Sequence, residues 1–164
     1  PLENLAMAVR ETVSLAAVFE NHIEVISVIE RPQMMRMSNT VGRILPPHAS
    51  SMGKAVTAFQ RPETREKLIR SYGTPALTEF TVIDELALRN EYAQIEKRGY
   101  AEDREETIIG GRCFAAPIVR PNGIAVGAVS LSMPKMRLES PEQAEDIIRS
   151  VRQTAGVIAA NLFE

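Results

Sequence analysis

One cysteine, two histidines and no tryptophan are found among 164 residues, and each scarcity closes a class of function. A lone cysteine cannot form an intrachain disulfide, which fits a reducing, cytoplasmic setting. One Cys and two His among scattered acids show none of the ligand spacing of a zinc site. With aromatics at 5%, little is available to stack on bases or sugars. Basic residues do not outnumber acidic ones: 19 Lys and Arg stand against 21 Asp and Glu, for a net charge of -2. They form no basic stripe, so these residues are not expected to track a phosphate backbone. The longest uncharged apolar runs, residues 114–119 and 124–133, fall far short of the roughly 18–20 residues of a membrane span. No basic region followed by an apolar stretch opens the chain, so no secretory signal is expected.

What is present is ordinary for one globular domain: 45% hydrophobic and 24% charged residues in a length sufficient for a substantial core. Leu2, Leu5, Ala6 and Val9 recur at helical spacing and predict a short N-terminal helix. Residues 13–19 and 23–30 read as a β-hairpin, with Glu24 and Glu30 an even number apart and therefore on one face. Met34, Met35 and Met37 follow, as core filler or the wall of an adaptable pocket. Residues 41–45 read as extended, halted by Pro46-Pro47, after which Ser50 or Ser51 caps a helix whose apolar face includes Ala55, Val56 and Phe59. A second helix covers residues 62–70 and stops near Gly73. A third is capped by Asp84, carries Leu88, Tyr92 and Ile95 on one side and ends at Gly99.

Residues 113–119 and 124–133 flank Asn122-Gly123, a strong hairpin signal. Period two puts Ile124, Val126, Ala128, Ser130 and Ser132 on one face and Val129, Leu131 and Met133 on the other. Ser140-Pro141-Glu142-Gln143 opens a long final helix with Ala144, Ile147, Val151, Ala155, Ile158 and Leu162 as its stripe. Hairpins imply an antiparallel sheet, and grouped helices imply α+β rather than alternating βαβ units.

Chemistry concentrates in GYAEDREETIIGGRCFAAP (residues 99–117), where an acid-rich stretch runs into an apolar strand beside the cysteine. Folded inward, the Asp103 carboxylate would accept hydrogen bonds from a ligand or pair with Arg104 or Arg112; folded outward, it is solvated charge. Cys113 as a nucleophile needs a base and an electropositive setting, and neither His22 nor His48 is placed beside it by the sequence. The helix start at Ser50 to Gly53 offers free amides and a positive dipole end, suited to a carboxylate, though simple capping explains it as well. Gly53 there would admit a ligand or a neighbouring strand. Ser130 and Ser132 set two hydroxyls on one face, for a polar ligand or for solvent.

Four segments carry a resemblance in order along the chain: MRMS (residues 35–38), VGRILPPHASSMGKA (41–55), RGYAEDREETIIGGRCFAAPI (98–118) and AVGAVSLSMP (125–134). Jointly they resemble the effector-binding domain of IclR-type bacterial transcriptional regulators. The resemblance implies a GAF-like α+β fold over residues 1–164, an antiparallel sheet carrying helices, with residues 1–12 the end of a linker helix. It implies a regulatory domain rather than an enzyme, with no cofactor, that senses a small organic acid. In such regulators DNA is bound by an N-terminal winged helix-turn-helix, absent from these residues, in homodimers or homotetramers. The amides of Ser51 and Met52 would hold the acid's carboxylate. Asp103, Cys113, Ser130 and Ser132 would supply polar contacts, with Met37 and Leu45 as apolar wall. A Cys- or Ser-dependent enzyme on the same scaffold and a structural dimerisation module with a plugged pocket are the competing expectations.

Overall fold

The computed structural model describes residues 1–30 and 37–163. Its centre is a five-stranded antiparallel sheet in the order β2-β1-β5-β4-β3, formed by β1 (Thr12–Val18), β2 (Ile23–Ile29), β3 (Ala101–Arg104), β4 (Gly111–Val119) and β5 (Ala125–Pro134). Helices α1 (Leu2–Val9) and α5 (Pro141–Phe163) cover one face, and α2 (Ser51–Ala58), α3 (Pro62–Tyr72) and α4 (Glu85–Arg98) lie on the other. The α+β reading of the sequence is thus the architecture observed.

Alternation within β5 splits the core in two. Val129, Leu131 and Met133 pack with Phe114, Ile147, Val151 and Ala155 toward α5, while Ala128 packs with Ala16, Ala115, Met52 and Val56 toward α2. The small residues on the second side let α2 approach the sheet closely. Its cap is made as the sequence suggests: the Gly53 amide donates to Ser50 Oγ at 2.9 Å, and Ser50 Oγ donates to the Pro46 carbonyl at 3.1 Å. The Tyr92 hydroxyl donates to the Pro47 carbonyl at 2.7 Å, so α4 fixes the double proline from behind.

Five expectations need correction. Val126 does not share the face of Ala128, Ser130 and Ser132, because the β4–β5 register steps from Ile118↔Gly127 to Val119↔Ala125 and the extra residue turns Val126 toward the core under α5. Glu24 and Glu30 do not share a face by parity, because the β1–β2 register steps from Leu15↔Ser27 to Ala16↔Val25 and the extra residue reverses the alternation between them. Residues 41–45 are not a strand: Gly42 turns at φ 93°, and only Ile44 bridges to Glu24. The segment still clasps the β2 edge, where Val25 N donates to Arg43 O and Leu45 N to Ile23 O. The stripe of α5 frays at its end, where Leu162 is 60% exposed against 1% for Val151. Gly53 admits neither a ligand nor a strand; a Cβ there would lie 2.2 Å from the Pro46 carbonyl oxygen, so the glycine serves the cap. Met34 and Met35 lie outside the described residues.

Leu131 is fully buried between sheet and α5. Leu131→Ala is therefore expected to cost about 2–5 kcal/mol in urea unfolding, whereas Leu162→Ala stays within about 0.5 kcal/mol.

Candidate ligand-binding site

The sheet register builds a polar floor. Asp103 pairs with Cys113, Cys113 with Ser132, and Ser132 with Thr12, so four polar side chains from four strands form one row on one face. The next row runs Ser14, Ser130, Ala115, Ala101. Within the first row the Cys113 thiol donates to Ser132 Oγ at 3.3 Å. The chain at Met37 to Asn39 is tied across β1, where Thr12 Oγ1 donates to the Met37 carbonyl at 2.5 Å and the Asn39 amide donates to Ser14 Oγ at 3.1 Å.

Above this floor sits the start of α2. Gly53 N is satisfied by the cap, but the N–H groups of Ser51 and Met52 have no acceptor among the described residues. These amides, at the positive end of the helix, prefer an anion.

Between floor and helix lies a hollow of about 50 Å³, and all eight residues singled out from the sequence line it: Met37, Leu45, Ser51, Met52, Asp103, Cys113, Ser130 and Ser132. Ser50, part of the helix start already offered as an anion site, lines it too, as do Ser38, Asn39, Arg43, Thr107 and Ile108, which the sequence reading had not singled out for the site. The Thr107 hydroxyl is enclosed beside the Asp103 carboxyl, whose charged form it favours. A sequence signal existed only for Thr12 and Ser14, which repeat on β1 the i, i+2 hydroxyl spacing of Ser130 and Ser132.

Asp103 folds inward, but not toward the arginines. Its Oδ1 accepts from the amides of Glu106 at 2.8 Å and Thr107 at 3.2 Å, closing the loop after β3. Glu102 is the residue that takes Arg104, at 2.7 Å, and Arg112, at 3.3 Å. Burial pushes the Asp103 carboxyl above its ordinary value, against the pull of the Thr107 hydroxyl, of those amides and of the Lys54 charge. Glu106 is likewise raised by burial although Lys54 holds both its oxygens, at 2.8 and 3.0 Å. Lys54, on α2, is only 1% exposed, so this pair latches the Asp103 loop to the helix. Thr78 and Thr81 donate to the Glu105 and Glu106 carbonyls, each at 2.6 Å, and fasten the loop from outside.

Nucleophilic chemistry finds no support here. Burial pushes the Cys113 thiol up to about 12, away from thiolate. His48 bonds the Pro75 carbonyl at 2.8 Å, and burial lowers its pKa. Neither histidine lines the hollow. Among the described residues no group of three His, Cys, Asp or Glu side chains is arranged to hold a metal ion. A larger surface groove of about 800 Å³ lies between α3 and α4. Its arginines already have partners, Arg65 on Glu96 and Arg89 on Glu85, both at 2.8 Å.

The sequence model of the family described as "Bacterial transcriptional regulator IclR C-terminal" matches residues 1–160. The transcriptional repressor IclR of Escherichia coli is 36% identical over 146 residues, which are 88% of this chain and 53% of that protein. The crystal structure of the Thermotoga maritima IclR superposes with a TM-score of 0.90 at 26% identity, covering 99% of this chain and 66% of that one. An IclR homolog from Microbacterium hydrocarbonoxydans, solved in complex with 4-hydroxybenzoate, gives a TM-score of 0.83 at 28% identity, covering 98% of this chain and 64% of that one. The chain spans about half to three fifths of the length of the curated relatives it matches. Those relatives are named as transcriptional regulators and repressors. Among the described residues no helix is long and apolar enough to cross a membrane.

The raised Asp103 carboxyl fixes the sign of a pH effect. A folded-state pKa above the unfolded value means the folded protein binds its proton more tightly, so this group's contribution to stability is full below the ordinary carboxylate range and is lost as pH rises through the raised value. Asp103→Asn removes the titration and retains an oxygen for the two amides. Its stability relative to wild type should therefore rise with pH across that interval in urea melts; a relative stability that falls with pH would show that the ionised form is favoured in the fold.

Proposed function

Since the chain belongs to the IclR family of bacterial transcriptional regulators, as the C-terminal effector-binding domain, we propose that its hollow binds a small organic acid. The observation that carries this reading is a convergence of polar groups: the two amides at the start of α2 that have no acceptor among the described residues border the same hollow as Asp103, Cys113, Ser130 and Ser132. The acid's carboxylate takes the amides of Ser51 and Met52. Asp103, Cys113, Ser130 and Ser132 then read its hydroxyl or oxo group, and Met37, Leu45 and Met52 form the apolar wall.

Size narrows the class. A volume of about 50 Å³ has room for roughly three to five waters. The buried part of the ligand is accordingly about five heavy atoms, a short aliphatic hydroxy or oxo acid. The 4-hydroxybenzoate held by the Microbacterium relative has twice that. Buried Met52, beside the α2 amides, is one of the side chains that bound this space.

The domain is regulatory rather than catalytic, in keeping with relatives named as regulators and repressors. In this reading it passes the state of the hollow to an N-terminal winged helix-turn-helix, within a cytoplasmic homodimer or homotetramer. Occupancy can shift that assembly only in so far as the acid binds one arrangement better than the other. The elements that would differ are those the ligand bridges: α2, the loop after β3, and the segment at residues 37–45.

A thermal-shift screen of short hydroxy and oxo acids should identify stabilising ligands, since a ligand specific for the folded state raises the melting temperature. Ser130→Ala and Asp103→Ala should then weaken the best acid by about 1 kcal/mol or more, roughly fivefold or greater in Kd by calorimetry, with the fold intact by circular dichroism. Unchanged affinity in both variants would contradict the site.

A further inference from the structure

Arg43 stands at the rim of the hollow with an unused charge. It lines the cavity and is exposed, and its guanidinium makes no hydrogen bond or ion pair among the described residues. Nearby cations are committed: Arg104 and Arg112 to Glu102, Lys54 to Glu106 and Lys135 to Glu105. Glu24, across the bridge from Ile44, is engaged instead by His22 at 3.1 Å.

The backbone beneath Arg43 is held although the side chain is not. Arg43 N donates to Thr40 O at 3.1 Å, its carbonyl accepts from Val25 N at 3.0 Å, and Leu45 N donates to Ile23 O at 2.8 Å. The anchored backbone thus presents a cation beside the polar row; its charge reaches as far as the Cys113 thiol, where it opposes the effect of burial. A guanidinium fixed at its base and unpaired at its tip suits a carboxylate, which it can bind through two parallel N–H donors.

The hollow therefore carries two separate attractions for negative charge, the α2 amides within and Arg43 at the mouth. We propose that Arg43 is a specificity-determining residue that pairs with a second carboxylate, making the preferred effector a short hydroxy- or oxo-dicarboxylic acid. The inference rests on the acid-binding reading above and adds the second anionic group. One carboxylate and the oxo or hydroxyl carbon fill the interior, and the other carboxylate stays at the rim, where the small interior volume imposes no limit.

The test is calorimetric titration of wild type, Arg43→Gln and Ser130→Ala with matched acids: 2-oxoglutarate against 2-oxopentanoate, and malate against 2-hydroxybutanoate. In each pair a methyl replaces one carboxylate. Wild type should bind at least one diacid tenfold or more tighter than its monoacid. Arg43→Gln should bring that ratio to within about twofold of unity, weaken the monoacid far less than the diacid, and abolish the salt sensitivity of the preference. A wild type without preference for either diacid, an Arg43→Gln that weakens both members of a pair equally, or one that keeps the preference would each overturn the role of Arg43. Ser130→Ala separates the two readings. Monoacid binding that falls in Ser130→Ala while Arg43→Gln changes nothing overturns the Arg43 inference alone. Absence of binding by all four acids, or indifference to Ser130→Ala, overturns the acid site and this inference with it.

Discussion

Antiparallel register is the constraint from which the rest follows. Asp103, Cys113 and Ser132 come from three consecutive strands and Thr12 from one far away in sequence, and they share a row because three strand pairings are aligned at once. A one-residue slip in any pairing would turn part of the row to the opposite face. The Asn122-Gly123 turn between β4 and β5 helps set one of these registers. The apolar back of the sheet enforces them all. Phe114, Val129, Leu131, Met133 and Val13 are buried against α5 and α1, and a slip would exchange those side chains for hydroxyls and a carboxylate. Hydrophobic burial on one face thus stabilises a polar arrangement on the other that would not hold itself in place.

The roof of the hollow is fixed with comparable economy. The Pro46 carbonyl accepts from the Ser50 hydroxyl and amide, and the Pro47 carbonyl from the Tyr92 hydroxyl. Gly53 lets the Pro46 carbonyl approach to a distance that any side chain would forbid. One buried ion pair, Lys54 with Glu106, then joins this helix to the loop that carries Asp103. Removing one member of such a pair typically costs about 3–5 kcal/mol, because the other is left buried and unpaired. The two halves of the hollow are thereby coupled, so a molecule bridging them bears on both α2 and the loop.

Much of this was legible in the sequence, for definite reasons. Alternation in β5 sorted Ser130 and Ser132 from Val129, Leu131 and Met133, and the capping residues Ser50, Asp84 and Ser140 stand where the helices begin. Less legible was whatever depends on one extra residue or on a loop's path. The bulge in β2 reverses a parity that spacing alone predicted. Asp103 and Glu102 are adjacent acids before two arginines, and only the pleat of β3 decides that Glu102 meets the cations while Asp103 turns to the loop amides. Arg43 and Thr107 escaped notice because nothing in local pattern says that a turn and a loop will close over a distant sheet. The eight residues that resemblance singled out do surround one hollow, and their role as ligand contacts is the proposal made above.

The central claim is that free amides at the start of α2 and the polar row of the sheet act on one small acid together. Amide chemical shifts of Ser51 and Met52, followed by NMR while a short oxo or hydroxy acid is titrated in, test it most directly. The account predicts that both amides and that of Thr107 move with a single saturation curve, while residues of the α3–α4 groove stay still. Saturable shifts confined to that groove, with Ser51 and Met52 unmoved, would contradict it.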